Sequence, residues 1–196
     1  MADGVKQIVT LAEKNIVGVA TADGKLLWQL PFAPANRAYN AATPIIDDQT
    51  VIYMGAGRGI RAVKVEKKGD SFTTTELWSN AEVAPQFNTP VLKDAFLYGL
   101  SDKGNLFCVD AKTGKTVWID QTSRDRSGFT AMVGAGSCLM ALPSSSELTV
   151  FKPNDKEYTE LAKVKVSDTP IYAHPVVAGN RVFIKDQETV TMLTVD

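Results

Sequence analysis

The chain has 196 residues, 44% hydrophobic and 22% charged, with a net charge of −1. That balance supports a folded core and leaves no basic field to attract nucleic acid or an anionic membrane surface. No apolar run approaches the roughly 18 residues of a membrane-spanning helix, so no membrane insertion is expected, and Met1-Ala2-Asp3-Gly4 carries neither the basic nor the apolar region of an export signal.

In chain order the sequence is a succession of short β-rich runs cut by Asp- and Gly-containing turns, without sustained 3.6-residue periodicity. Gln7–Leu11 reads as a second strand with no first strand before it, and Ala20–Trp28 as a turn at Gly24 leading into a strand that reaches Trp28. Ala42-Thr43-Pro44-Ile45-Ile46 opens the next group. Met54-Gly55-Ala56-Gly57-Arg58-Gly59-Ile60 bears a faint likeness to a dinucleotide-binding loop. It lacks the final glycine, and Arg61–Glu66 reads as a strand where a phosphate site needs a helix N-terminus, so tight-turn glycines explain it. An insertion around Glu66–Thr75 lengthens the hairpin that precedes Trp78. The third group is the clearest: Asn88-Thr89-Pro90-Val91-Leu92, a strand over Ala95–Leu100, a turn at Ser101–Gly104, a strand over Asn105–Asp110, and a turn into Lys115–Ile119. Thr130-Ala131-Met132-Val133 opens the fourth group, which degenerates at Phe151–Leu161, and Ala173-His174-Pro175-Val176-Val177 opens the fifth, which stops at Val190–Val195.

The groups are repeats. Their openings centre on Pro44, Pro90, Met132 and Pro175, separated by 46, 42 and 43 residues, and Trp28, Trp78 and Trp118 keep step, with Leu161 where a fourth tryptophan would fall. One four-stranded unit per 42–46 residues predicts an all-β protein, a β-propeller of four-stranded antiparallel blades with about four to five present. The repeats cover approximately 1–39, 40–86, 87–128, 129–171 and 172–196, as a single propeller domain or part of one.

The segment Cys108–Trp118 resembles the tryptophan-docking motif AxDxxTGxxxW of the PQQ-like (quinoprotein-like) propellers, a family that joins pyrroloquinoline-quinone (PQQ) dehydrogenases to non-enzymatic relatives, among them outer-membrane assembly lipoproteins. Asp110, Thr113, Gly114 and Trp118 match, and Cys108 takes the alanine slot. Asp110 can accept backbone N–H groups across the turn, Gly114 can supply a positive φ, and Trp118 can then lie between neighbouring blades. Gly24 and Trp28 belong to a second copy that lacks the aspartate, and Trp78 to a third that keeps Ala62. The resemblance implies a propeller of seven or eight blades, of which this chain is a part, and an extracytoplasmic bacterial setting, periplasmic or secreted, for the parent protein.

Loops leading into the innermost strand of each blade, and loops between second and third strands, share one face, which gathers the candidate binding residues Arg58, Phe87, Asn88, Asp102, Arg124, Arg126, Phe129, Tyr172 and His174. Phe87, Phe129 and Tyr172 each sit three residues before a proline slot, so they are expected either to form an aromatic collar at the mouth or to plug the channel as packing. Arg124-Asp125-Arg126 can hold a carboxylate or phosphate, or be a solvated loop. His174 is the one histidine, so metal and Ser/His/Asp chemistry would both hang on it; a capping or packing role is expected instead. Cys108 and Cys138 lie in apolar runs of consecutive repeats and read as buried free thiols, or as one bridge.

No catalytic residue and no metal ligand set is identified. The chain is therefore read as a non-catalytic scaffold that binds a protein or another ligand, without a cofactor. Its expected partner is another protein, or a second copy through open blade edges. The alternative, by resemblance, is a fragment of a dehydrogenase that uses PQQ and calcium. That reading asks for adjacent cysteines, a stacking tryptophan, calcium ligands and a catalytic aspartate, and this sequence has no adjacent cysteines. A third reading is a purely structural repeat segment.

Overall fold

The computed structural model describes residues 4–34, 39–125 and 127–195. Every regular element among them is a strand, and the strands form five antiparallel sheets, each built from strands consecutive in the chain. They fall into two compact units, Met1–Gln86 and Phe87–Asp196.

The first unit holds a three-stranded sheet of β1 (Gln7–Leu11), β2 (Asn15–Ala20) and β3 (Leu26–Pro31). A four-stranded sheet follows, of β4 (Ile45–Asp47), β5 (Thr50–Gly55), β6 (Gly59–Lys68) and β7 (Ser71–Asn80). The long β6–β7 hairpin, paired out to Lys68↔Ser71, is the insertion anticipated around Glu66–Thr75. Gly55 and Gly59 close the β5–β6 hairpin, and β6 stands where a dinucleotide site would need a helix. Ile16 and Trp28 of the first sheet pack with Val51, Tyr53, Val63 and Val65 of the second.

The second unit holds three sheets. The first is β8 (Val91–Lys93), β9 (Phe96–Leu100), β10 (Asn105–Asp110) and β11 (Thr116–Ser123). The next is β12 (Thr130–Ala135), β13 (Cys138–Pro143), β14 (Glu147–Phe151) and β15 (Glu160–Lys165), and the last is β16 (Val176–Ala178), β17 (Arg181–Lys185) and β18 (Val190–Thr194). Leu97–Leu100, Leu106–Val109 and Leu139–Pro143 are buried throughout. Strands covered on both faces lose the inside–outside alternation of a half-exposed strand and become continuous apolar runs. Tyr98, Leu106, Cys108, Leu139, Ala141 and Phe151 make one inter-sheet core, and Met140, Leu142, Leu148, Val182 and Ile184 the next.

The docking motif has a common backbone device. Gly18 pairs with Trp28, Ala62 with Trp78 and Cys108 with Trp118, and a register shift follows each pair. The bulge leaves one residue of the outer strand unpaired and tilts the following indole across a small cross-strand partner. The fourth sheet keeps the bulge but not the tryptophan: Val150 pairs with Ala162, and Leu161 is the bulged residue. The tryptophan slot is therefore Ala162, one residue beyond the expected Leu161. Without an indole to dock, β15 is exposed along its whole length.

The motif turn itself is held by Asp110, whose Oδ1 accepts the backbone N–H groups of Lys112 at 2.9 Å and Thr113 at 2.8 Å. The Thr113 Oγ1 accepts the Lys115 N–H at 3.4 Å. Gly114 adopts φ 73°, a left-handed conformation that only glycine takes without strain, and its N–H returns to Asp110 O at 2.8 Å. Gly24 does the same at φ 74° in the copy that lacks the aspartate. Trp118 Nε1 donates to Asn154 O at 2.7 Å, and its ring meets Tyr98 at 6.1 Å and Tyr158 at 6.0 Å, so it spans two sheets.

The β17–β18 turn repeats this carboxylate clamp. Asp186 Oδ1 accepts the N–H groups of Thr189 at 2.7 Å and Glu188 at 2.9 Å, which hold its carboxyl down at about 2. The folded value lies below the ordinary aspartate value of about 3.9, so the stabilisation is complete above about pH 4 and fades as pH falls through the folded value. An NMR titration of the Asp186 carboxyl is expected to give a midpoint near 2; a midpoint at about 3.9 would mean the clamp does not form in solution.

Candidate functional site

In the second unit, the segments leading into the first strand of each sheet bring three aromatic rings into one row. Phe87 and Phe129 stack with centroids 4.1 Å apart and planes 5° from parallel, and Phe129 meets Tyr172 edge-on at 5.3 Å and 82°. Phe87 and Phe129 also form a parallel backbone bridge. Phe129 is 37% and Tyr172 66% exposed, so on this unit the rings form an accessible ridge.

Neighbouring residues fix that ridge. Asn88, only 3% exposed, donates through Nδ2 to Leu100 O at 2.7 Å and accepts the Leu100 N–H at 3.3 Å. Its amide thus extends the β9 pairing by one residue and holds Phe87 beside it. Asp125 holds Phe129 from the other side. Its Oδ1 accepts the Ser127 N–H at 2.7 Å and the Ser127 hydroxyl at 2.6 Å, and its Oδ2 accepts the Ser144 hydroxyl. The Ser127 Oγ in turn accepts the Phe129 N–H at 3.3 Å. Burial alone would raise the Asp125 pKa, but the bonds from Ser127 and Ser144 outweigh it and hold the carboxyl below the usual carboxylate range.

Phe87, Phe129 and Tyr172, with His174, form the rim of a cleft whose deeper surface is Thr130, Ala131 and Ile171. His174 is exposed on this rim and belongs to none of the buried clusters. Thr130 is 6% exposed, and its Oγ1 has no hydrogen-bond partner among the described residues. The sequence offers one signal for it: Thr130 holds the repeat position of Asn88. A shorter side chain there does not reproduce the Asn88 pairing, and its cross-strand partner, Pro143, has no N–H to offer.

The remaining candidates lie elsewhere or are already engaged. Arg124 is not a solvated loop cation: its side chain is 6% exposed, paired with Asp120, donating to Thr122 O at 2.9 Å and stacked 4.7 Å over the Tyr158 ring. Those contacts hold the guanidinium against Asp120 and Tyr158 and away from solvent. Arg58, in the first unit, donates to Phe32 O at 2.7 Å and Asn40 Oδ1 at 2.8 Å and lies 4.1 Å over the Phe32 ring. Asp102 is half-buried in the β9–β10 turn. Arg126 lies outside the described residues.

Among the described residues, no group of three or more His, Cys, Asp or Glu side chains could hold a metal ion. Both thiols are free: Cys108 is buried, which pushes its pKa up to about 12, while Cys138 is only half-buried, contrary to expectation, because it begins a strand directly after a turn.

Within each unit, consecutive antiparallel sheets packed face to face, with the outer strands of the first four sheets bulged at the docking position, define the chain as a β-propeller of PQQ-like repeats. The model of the family described as outer membrane protein assembly factor BamB matches residues 1–120, and the chain belongs to that family. Among solved structures, BamB from Moraxella catarrhalis is similar at a TM-score of 0.53 and 14% identity, over 95% of this chain and 68% of that one. Two computationally designed proteins share the fold. Ika8 has a TM-score of 0.64 at 13% identity, over 99% of this chain and 60% of its own, and Ika4 has 0.59 at 13%, over 83% and 94%. No curated protein matches the chain in sequence.

Proposed function

We propose that this chain is a non-catalytic binding scaffold that uses the aromatic ridge of its second unit to hold a protein partner during outer-membrane protein assembly, outside the cytoplasm of a bacterium. The observation that carries the reading is the ridge itself. Three rings meet edge to face and face to face, two of them substantially exposed, at loops clamped by Asn88 and Asp125. Exposed aromatic groups on a rigid support are the usual anchors of protein interfaces. The family's description as an outer membrane protein assembly factor supplies the setting, and no cofactor is invoked.

The test is site-specific photo-cross-linking in bacterial cells. A benzophenone amino acid at position 172 is expected to form an adduct with an outer-membrane assembly component. The same probe at Leu77, a half-exposed residue of the first unit, is expected to give none. No adduct from position 172, or equal yields from both, would remove the ridge as the binding face.

A further inference from the structure

We propose that a cleft in the first unit, between β3 and the β6–β7 hairpin, binds a free α-amino acid, whose carboxylate pairs with Arg61 and whose ammonium pairs with Glu76. The aromatic ridge belongs to the second unit, and this inference does not rest on it.

Three observations lead to it. First, the cleft is roomy and its charged groups are within reach. Its volume is about 320 Å³, at the small end of the range for ligand pockets. The Arg61 and Glu76 side chains on its wall are 43% and 54% exposed. Second, the strand pairing sets these two side chains side by side. Arg61 pairs with Ser79 and Val63 with Glu76, and Leu77 is the extra residue of β7. Residues opposite one another, or two apart in a strand, share a face. The bulge therefore turns Glu76 onto the face of Arg61, where an unbulged strand would set Leu77 opposite Val63. Third, the ion pair is open. Arg61 Nη1 and Glu76 Oε2 are 3.8 Å apart, beyond hydrogen-bonding distance. Arg124 is the contrast, closed against Asp120 with only 6% of its side chain exposed. A hydrogen bond to the hydroxyl of the buried Tyr53 holds the Arg61 guanidinium in place. So loose and exposed a pair contributes little by itself, and a ligand that brings a partner for each charge displaces little.

Charge selects the ligand. A carboxylate or phosphate alone would lie beside Glu76, and an amine alone beside Arg61, in each case a like-charge contact. An α-amino acid carries both charges on one carbon, so each can meet its opposite across the 3.8 Å gap. Charge-assisted hydrogen bonds are about twice as strong as neutral ones, so a neutral peptide group gains less from the same two residues. Leu30, Pro31 and Val63 supply an apolar wall that suits an aliphatic side chain.

The experiment is an NMR titration of the whole chain with L-leucine and, separately, with N-acetyl-leucine, leucinamide and N-acetyl-leucinamide, which lack the ammonium, the carboxylate and both charges. Leucine is expected to shift the Arg61, Val63 and Thr74 amide signals with a dissociation constant on the order of millimolar, as befits so small a ligand. Each of the other three is expected to bind about tenfold more weakly or worse, the loss of at least one charge-assisted hydrogen bond. Glu76→Gln keeps the size of the side chain and removes its charge. The pair is exposed, so the fold is expected to persist, as a dispersed amide spectrum would confirm. In that variant leucine is expected to lose its advantage over N-acetyl-leucine, because the repulsion that excludes a lone carboxylate is gone. Binding of N-acetyl-leucinamide as tight as that of leucine overturns the proposal and assigns the cleft to peptide groups. So does a preference for leucine over N-acetyl-leucine that survives unchanged in Glu76→Gln, or an absence of shifts at these amides well above millimolar leucine.

Discussion

Replacing Trp118 by alanine is expected to lower the unfolding free energy of the chain by about 3 kcal/mol, the lower end of the range for truncating a core tryptophan. The lower end applies because the indole is half-buried and not sealed. What the substitution removes is specific. The ring touches Tyr98 on its own sheet and Tyr158 on the next, and its N–H is the donor to Asn154 O at 2.7 Å. Arg124 lies over the same Tyr158 ring, so the cavity would open beside a buried guanidinium that depends on its surroundings for packing. Denaturant unfolding measures the loss directly. Trp118→Phe retains much of the contact and forfeits the hydrogen bond, for an expected cost of about 1 kcal/mol. A loss below about 1 kcal/mol for alanine would show that the indole does not couple the two sheets.

Gly104→Ala is expected to be comparably destabilising, by about 3 kcal/mol, although it adds a single methyl group. Two penalties combine. Gly104 has φ 82°, which costs a residue with a Cβ about 1–2 kcal/mol. A Cβ there would lie 2.4 Å from the backbone oxygen of Asp125 and 2.7 Å from Ser123 Oγ, and a backbone atom cannot rotate away, so crowding adds about 1–3 kcal/mol. The displaced residue matters as much as the energy. Arg124 N–H donates to Gly104 O at 2.8 Å, and Asp125 holds the Ser127 turn that delivers Phe129 to the ridge. Cross-linking from position 172 is therefore expected to weaken together with stability. Gly136→Ala is the control: its φ is 64° but nothing lies within 4 Å of an added Cβ, so only the backbone cost of about 1 kcal/mol is expected. Equal losses for the two variants, measured by the same unfolding experiment, would mean that the Gly104–Asp125 approach does not constrain the loop.

Much of the fold was legible because the middle strands carry its signature in consecutive residues. Leu97–Leu100 and Leu139–Pro143 are continuous apolar runs since both faces of their sheets are covered. Pro44, Pro90 and Pro175 recur because each repeat opens in the same way. The ring row was equally legible as a position, three residues ahead of each opening, while its exposure and the ring geometry were not. The tryptophan register was legible only up to the bulge. Counting residues leads to Leu161, but in the fourth sheet Leu161 is the bulged residue and Ala162 pairs with Val150, which is the tryptophan position of the other sheets. A bulge is decided by how two strands meet, and one strand's sequence does not record it.

Composition and periodicity thus determined that this chain is a series of antiparallel repeats with tryptophans at the outer strands of three of them. Those properties follow from residues near one another in the chain, where burial pattern and turn chemistry act. Tertiary structure alone decided the fate of the polar candidates. Arg124 faces Tyr158, Asn88 faces Leu100, and Thr130, in the same repeat position as Asn88, has a hydroxyl with no partner. Each outcome depends on what a neighbouring strand or sheet presents to a side chain, at a distance and angle that only the packed fold supplies.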